Sequence, residues 1–200
     1  VSDGIIVDAS APTTPVVADD GDCAASNVLN ATWSAEDAHT GVQEYRYAIG
    51  SSPGGTDLAD WTSVGTDTSI TRSDLSIADG TTCYFAVQAR NGAGSWSTVG
   101  MSDGILVDTS APTTPVVTDD GDYSTNPMTI HAAWTAEDAH TGITEYQYAI
   151  GTSAGGTDIV DWTSAGTSTE ITRDDLSLTD GTTYYVAVKA NDGVEAWSAI

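Results

Sequence analysis

Short runs in which apolar and polar residues alternate dominate the chain, and turn residues interrupt them about every 8 to 12 positions. In one such run Leu29, Ala31 and Trp33 share one face, whereas Asn30 and Thr32 occupy the other. A period of two with one apolar face is typical of antiparallel strands that pack on a core. Because no sustained helical spacing accompanies these runs, the pattern predicts an all-β sandwich.

The first half of the chain contains a full set of strands for one such sandwich. Alternation is clearest around Tyr47 and Val87, and Gly80 supplies a turn before the second of these strands. The strands are predicted at residues 13–18, 27–34, 42–49, 59–64, 67–72, 82–90 and 96–107.

An almost unchanged sequence organises the chain, because residues 2–17 (SDGIIVDASAPTTPVV) recur as residues 102–117 (SDGILVDTSAPTTPVV). We interpret this stretch as the last strand of one domain, a short stiff linker and the first strand of the next. A repeat of about 100 residues is a whole domain rather than a solenoid unit. The predicted parts are an N-terminal strand with its linker at 1–10, one domain at 11–108 and a second at 109–200.

The phase of the repeat leaves the second domain without its last strand. Ile200 corresponds to Val99, so nothing within this chain follows it where residues 100–108 follow in the first copy. A spare copy of that strand, with Ile5, Ile6 and Val7 at its centre, instead lies at the N-terminus. Three alternatives stay open: this strand completes the second domain of a neighbouring subunit, the chain is a window on a longer array of repeats, or it is a discrete two-domain fragment.

Composition narrows the possible partners and the compartment. The net charge is −24, from 29 acidic and 5 basic residues, which disfavours binding to nucleic acids and to anionic membranes. No apolar run approaches the roughly 20 residues that span a bilayer. Without a signal peptide or an initiator Met, the chain is expected to be a mature piece of a longer precursor. Abundant Ser, Thr, Gly and Asp favour an extracellular or cell-surface location.

Several motifs resemble those of fibronectin type III domains. They are Trp33 late in the second strand, Tyr45 on the third, Leu75-x-Ile77-x-Asp-Gly-Thr-Thr before the sixth, and Cys83-x-Phe85-x-Val87-x-Ala89-x-Asn91. Tyr184 falls where that family places a corner tyrosine, whose hydroxyl ties a turn to the strand. The resemblance implies two tandem antiparallel β-sandwiches, and such domains serve as spacers, adhesion modules and enzyme appendages. The linker and the Tyr-x-Tyr-Ala-Ile-Gly segment resemble a bacterial or archaeal surface-protein branch.

Both cysteines lie in the first repeat and replace tyrosines of the second, Cys23 for Tyr123 and Cys83 for Tyr184. In this fold the end of the first strand and the start of the sixth lie at the same end of the sandwich. We therefore expect a Cys23–Cys83 disulfide, which would imply an oxidising compartment. The alternative is a pair of buried thiols.

Acidic residues cluster in loops at both ends of each predicted sandwich. In tandem sandwiches, one domain's first loop could face the next domain's loop between its second and third strands. Hard oxygen ligands of this kind suit Ca²⁺, and the alternative is a set of solvated turn residues. The candidate ligands are Asp19, Asp20, Asp22, Asp108, Asp119, Asp120, Asp122, Glu137 and Asp138.

Three further motifs have more ordinary explanations. G-x-S-x-G occurs at residues 50–54 and 151–155, but no helix follows, so we expect hairpin loops rather than a nucleophile elbow. Asn30 begins an N-glycosylation sequon on an outward strand position. Trp61 with its counterpart Trp162, and Trp96 with its counterpart Trp197, are expected to cover the sandwich edge and core, with a sugar-binding platform as the alternative.

Together these features predict a non-catalytic structural subunit of an extracellular filament, sheath or long surface adhesin. The subunits would join head to tail, with Ile5–Val7 completing the neighbour's second domain, or further copies would follow in the same chain. The runner-up is a spacer or carbohydrate-binding accessory module of a secreted polysaccharide-degrading enzyme.

Overall fold

The computed structural model describes residues 1–200 and contains strands and turns but no helix. No segment therefore forms a long apolar helix of the kind that crosses a membrane. The chain divides into two compact units, Val1–Thr109 and Ser110–Ile200.

Unit 1 is a sandwich of two sheets. Its strands are β1 (Val16–Asp19), β2 (Cys23–Ala24), β3 (Leu29–Ser34), β4 (Val42–Gly50), β5 (Ala59–Gly65), β6 (Ser69–Arg72), β7 (Thr81–Asn91), β8 (Gly100–Met101) and β9 (Ile105–Val107). One sheet has the order β1-β3-β6 and the other β2-β9-β7-β4-β5, with β8 also paired to β7. The predicted all-β sandwich is confirmed.

The alternating residues of unit 1 meet between its two sheets. Trp33 from β3 stacks on Tyr47 from β4 with ring centroids 6.2 Å apart, and Tyr47 contacts Phe85 at 6.5 Å. All three aromatic side chains are buried, because each occupies the inward position of its strand. Such ring pairs stabilise beyond the area that they bury.

The end of unit 1 differs from its prediction. The single strand expected at 96–107 is interrupted, since Gly104 adopts a φ of 106° between β8 and β9. β9 then runs antiparallel to β7 and parallel to the short strand β2, which the sequence pattern did not predict. The last strand therefore lies between two neighbours instead of forming a free edge.

Unit 2 repeats this arrangement with fewer strands. They are β10 (Val116–Asp119), β11 (Ile130–Thr135), β12 (Ile143–Gly151), β13 (Val160–Gly166), β14 (Glu170–Arg173) and β15 (Tyr185–Asp192). Its sheets have the orders β10-β11-β14 and β13-β12-β15. Trp134 again stacks on a tyrosine, Tyr148, with centroids 6.4 Å apart. Within this chain unit 2 has no counterparts of β2, β8 and β9.

The structure does not contain the predicted Cys23–Cys83 disulfide. Cys23 pairs with Leu106 and Cys83 pairs with Ile105, so both flank β9 from opposite sides. Neighbouring strands lie about 4.8 Å apart, which separates the two cysteines by about twice that distance. A disulfide needs the two Cα atoms to lie within about 7 Å of each other, so the strand between the cysteines prevents the predicted bond.

Candidate functional sites

The same strand sequence occupies two opposite environments. Within β9, Ile105 and Val107 are 1% and 0% exposed, and Leu106 between them is half-buried. In the N-terminal copy Ile5 and Val7 are 92% and 84% exposed and belong to no strand. A segment that packs as a core strand in unit 1 therefore presents its apolar side chains to solvent at the N-terminus.

Unit 2 has an open edge where unit 1 holds β8 and β9. In unit 1 residues 81–83 pair with β9, but their counterparts 182–184 belong to no strand. Phe85 is 0% exposed, whereas its counterpart Val186 is only half-buried. Tyr185 next to it is 43% exposed. The missing strand thus leaves both backbone groups and core side chains of β15 uncovered.

A cleft of about 410 Å³ runs beside this edge of β15, with Pro115 and Gly155 among its lining residues. In unit 1 the corresponding place is filled by β8. Gly100 lies directly against the Pro15 backbone, and the Met101 sulfur lies beside Gly54. Pro15 and Gly54 are the repeat counterparts of Pro115 and Gly155. The cleft therefore has the position and lining of the strand site that unit 1 fills with its own chain.

Glycine is required at one position of the filled site. A Cβ atom on Gly104 would lie 2.5 Å from the Tyr84 ring, and its φ of 106° also disfavours other residues. Gly4, its copy at the N-terminus, has a similar φ of 94° and open space around it. The N-terminal copy thus has a positive φ at this glycine, as the filled site does.

Unit 1 also contains an acidic pocket that is closed by an amide. The Asn91 Nδ2 group donates to Asp8 Oδ2 at 3.0 Å, to Asp37 Oδ2 at 3.1 Å and to the Ser10 carbonyl at 2.8 Å. Hydrogen bonds from the Thr40 and Ser10 hydroxyls lower the pKa of Asp8 to about 2.

Asp37 in the same pocket is ionised for similar reasons. Burial pushes its pKa upward, but hydrogen bonds from the Asn91 side chain and from the Thr40 and His39 backbone outweigh that effect, so the pKa lies below its ordinary value. Two carboxylates are thereby held together by one amide nitrogen.

Unit 2 has a carboxylate in place of this amide. Asp192 is the repeat counterpart of Asn91, and Asp138 is the counterpart of Asp37. Asp192 is 1% exposed, and its Oδ2 atom and the Asp138 Oδ1 atom are both buried without a hydrogen-bond partner. The sequence predicted Asp138 as a ligand but missed Asp192, although alignment of the two repeats places Asp opposite Asn there.

Most of the other predicted acidic ligands have partners of their own. Asp19 accepts from the Gly104 backbone at 3.3 Å, Asp20 accepts from the Asn30 side chain, and Asp119 accepts from the Gly121 backbone at 3.0 Å. Asp120 lies 2.8 Å from a ring nitrogen of His131. These contacts agree with turn and surface roles for the four residues.

The remaining candidate ligands divide between the two units. Asp119 pairs with Ala132 at one end of the β10–β11 ladder, and Glu137 follows the other end, so these two residues lie at opposite ends of unit 2. Asp122 is exposed in the same loop as Asp119. Asp22 and Asp108 belong to unit 1, and their participation in a site with Glu137 and Asp138 stays a prediction.

The tryptophan pairs enclose a cation in each unit. The Arg46 guanidinium lies 4.8 Å from the Trp61 ring centroid and 4.3 Å from that of Trp96. In unit 2 the Lys189 ammonium lies 4.7 Å from Trp162 and 4.4 Å from Trp197. Since each ring has a cation on one face, the arrangement supports the structural explanation over a free sugar platform.

The other two sequence motifs lie where the strand pattern predicted. The first G-x-S-x-G stretch joins the antiparallel strands β4 and β5 and the second joins β12 and β13, so both are hairpin loops. Asn30 lies on β3, donates to Asp20 and accepts from the Thr71 hydroxyl at 2.5 Å. Its glycosylation stays a prediction.

The two-sheet topology and the corner tyrosine identify the fold as fibronectin type III-like. The Thr179 backbone donates to the Tyr184 hydroxyl at 2.8 Å, as that resemblance implied. No protein-family model matches the chain, and no curated protein sequence does either.

Solved structures of multidomain chains are similar to this one. A segment of titin gives a TM-score of 0.52 at 14% identity, over 94% of this chain and 57% of that one. The chicken CNTN1 FN1–FN3 domains give 0.44 at 19% identity, over 94% and 65%. The fibronectin(III)-like modules of Clostridium thermocellum CbhA give 0.45 at 15%, over 92% and 90%. The chain thus spans about two thirds or less of the titin and CNTN1 segments.

Proposed function

We propose that this chain is a non-catalytic structural unit of an extracellular filament, sheath or long adhesin, in which units join head to tail by strand addition. Residues 1–8 of one unit add to the open edge of β15 in the next. The observation that carries the proposal is that Ile5 and Val7 are exposed, while their counterparts Ile105 and Val107 are buried in β9 of unit 1. Unit 2 has the corresponding site open.

Strand addition provides hydrogen-bond partners for the open edge and for the added segment at the same time. An open edge offers unpaired N–H and C=O groups, and an extended segment supplies their complements together with side chains for the apolar cleft. Ile5 and Val7 would occupy the inward positions that Ile105 and Val107 occupy in unit 1. Ile6 would face outward, as the half-buried Leu106 does.

A donor at one end of the chain and an acceptor near the other make the contact heterologous, so it propagates instead of closing into a dimer. The tandem array remains the alternative, because a further repeat in a longer chain would supply the same strand. Both arrangements give a row of sandwiches, and they differ in whether separate chains associate.

Sedimentation velocity and electron microscopy of the purified chain test the proposal. We expect size to increase with concentration and end-to-end rows to form at about 150 mM salt, where repulsion between acidic surfaces is screened. Ile5→Asp with Val7→Asp should abolish the association. Ile6→Thr, which alters only the outward position, should leave it intact.

An extended variant of the chain separates the two alternatives. When a copy of residues 100–109 follows Ile200, the chain fills its own cleft, and we expect a monomer with a more stable unit 2. If the unaltered chain stays monomeric at every concentration while the appended strand still stabilises unit 2, head-to-tail assembly is overturned in favour of the array. Association that survives the Ile5→Asp, Val7→Asp change would also contradict the proposal.

A further inference from the structure

The acidic pocket of unit 2 has a carboxylate, Asp192, at the position where that of unit 1 has the Asn91 amide. In unit 1 the Asn91 oxygen accepts from the Ser95 backbone at 2.9 Å, which directs its amide nitrogen toward Asp37. In unit 2 one oxygen of Asp192 accepts from the Ala196 backbone at 2.9 Å in the same way. Its other oxygen therefore occupies the position of the amide nitrogen.

Asp138 is held with one oxygen facing this position. Its Oδ2 atom accepts from three successive backbone N–H groups, those of His140 at 3.1 Å, Thr141 at 2.9 Å and Gly142 at 2.8 Å. Its Oδ1 atom has no partner. An oxygen of Asp138 and one of Asp192 lie within 4.8 Å of one another.

Two buried carboxylate oxygens that face each other without a donor are costly unless a positive group lies between them. In unit 1 the amide nitrogen of Asn91 supplies the positive end of a dipole at that position. The ammonium group of Lys189, three residues before Asp192, is directed away to the Trp162 and Trp197 rings.

We propose that Asp138 and Asp192 bind a divalent cation, with Ca²⁺ as the best match for hard carboxylate oxygens. Calcium takes six to eight oxygens at about 2.3–2.6 Å, so it can bridge two carboxylates and complete its shell with water. The proposal does not depend on strand addition.

The two repeats provide matched variants for the test. Asp192→Asn gives unit 2 the amide that unit 1 already carries, so the variant is expected to fold. Asn91→Asp gives unit 1 a carboxylate beside Asp8 and Asp37. Calcium is titrated by calorimetry into the full chain after removal of metals, at about 150 mM NaCl to suppress diffuse binding to the acidic surface.

We expect the unaltered chain to bind Ca²⁺ at one site that Asp192→Asn removes, and Asn91→Asp to add a site. Calcium should raise the unfolding temperature of unit 2 in the unaltered chain and not in Asp192→Asn. Equal binding by the unaltered chain and Asp192→Asn would overturn the proposal. The absence of Ca²⁺ binding by the unaltered chain would overturn it as well.

Discussion

At the scale of single residues, the two repeats preserve one interaction although the side chains that form it have been exchanged. Arg46 on β4 faces Gln88 on β7, whereas unit 2 has Gln147 and Lys189 at the paired positions. The cation has changed strands, yet it lies between two tryptophans in both units. What the fold requires is a cation at that place, and either strand can supply it.

Arg46→Gln should therefore lower the stability of unit 1 by about 1 kcal/mol, the size of a partly exposed cation–π contact. The double change Arg46→Gln with Gln88→Lys copies unit 2 and should recover most of the loss. Urea unfolding monitored by tryptophan fluorescence measures both variants. A double variant no more stable than Arg46→Gln would show that the cation does not matter.

Acid should destabilise unit 1 through Asp8. Its pKa is lowered to about 2 from an ordinary value of 3.8, so the folded state binds protons less readily than the unfolded state. The stabilisation is complete above about pH 4 and is lost as the pH falls toward 2. Thr40→Val removes the main donor to Asp8 and should flatten this pH dependence, whereas Thr32→Val on the exposed face of β3 should not. Unfolding midpoints measured from pH 5 to pH 2 give the comparison.

Burial raises the pKa of the Cys83 thiol to about 11, since Cys83 is 0% exposed and the nearby Asp57 carboxylate adds to the effect. A thiol that stays protonated reacts slowly with alkylating reagents. We expect Cys83 to be modified in the native protein only after unfolding, as mass spectrometry of timed samples would show. Rapid native labelling of Cys83 would contradict its place in the core.

At the scale of elements, the alternating pattern predicted most strands because one face of each is buried. The strand predicted at 42–49 is found at Val42–Gly50, and that predicted at 82–90 is found at Thr81–Asn91. The pattern did not predict β2, whose two residues form a strand only because β9 lies beside them. Short strands of this kind depend on a distant partner and carry no periodicity of their own.

The acidic sites, like the strands, could be predicted from local sequence only in part. Local sequence identified the loop that holds Asp138, because Asp is common in turns. Its importance depends on Asp192, a residue on another strand, and on the burial of both. The one signal for this pair in the sequence was the comparison of the two repeats, which have Asn and Asp at the same position.

The disulfide prediction was wrong for this structure because it overlooked the strand that lies between the two cysteines.

Gly104 and Gly4 provide a test at this scale. Gly104→Val places side-chain atoms against Tyr84 and a branched residue at a φ of 106°, so we expect a loss of about 1–3 kcal/mol in unit 1. Gly4→Val meets open space and should leave the folding of the single chain unchanged. If residues 1–8 add to a neighbour, Gly4→Val should still impair assembly. Chemical unfolding and sedimentation separate the two effects.

At the scale of the whole molecule, the two units should differ in stability. Unit 1 contains its complete set of strands, while unit 2 lacks the strand that covers Val186 and Tyr185. Calorimetry should therefore show unit 2 unfolding at the lower temperature. Both transitions should rise with added NaCl, since a net charge of −24 opposes compaction at low ionic strength. A single transition at the higher temperature would contradict an open edge in unit 2.

Hydrogen exchange at the open edge tests the central claim most directly. A synthetic peptide of residues 1–10 is added to the chain that carries Ile5→Asp and Val7→Asp, so that only the peptide can donate a strand. In unit 1 the Phe85 amide donates to Ser102 and Cys83 pairs with Ile105. We therefore predict that the amides of Val186 and Tyr184 become protected, and that a peptide with both apolar residues changed to Asp has no effect. Unchanged exchange at these two amides with saturating peptide would contradict strand addition.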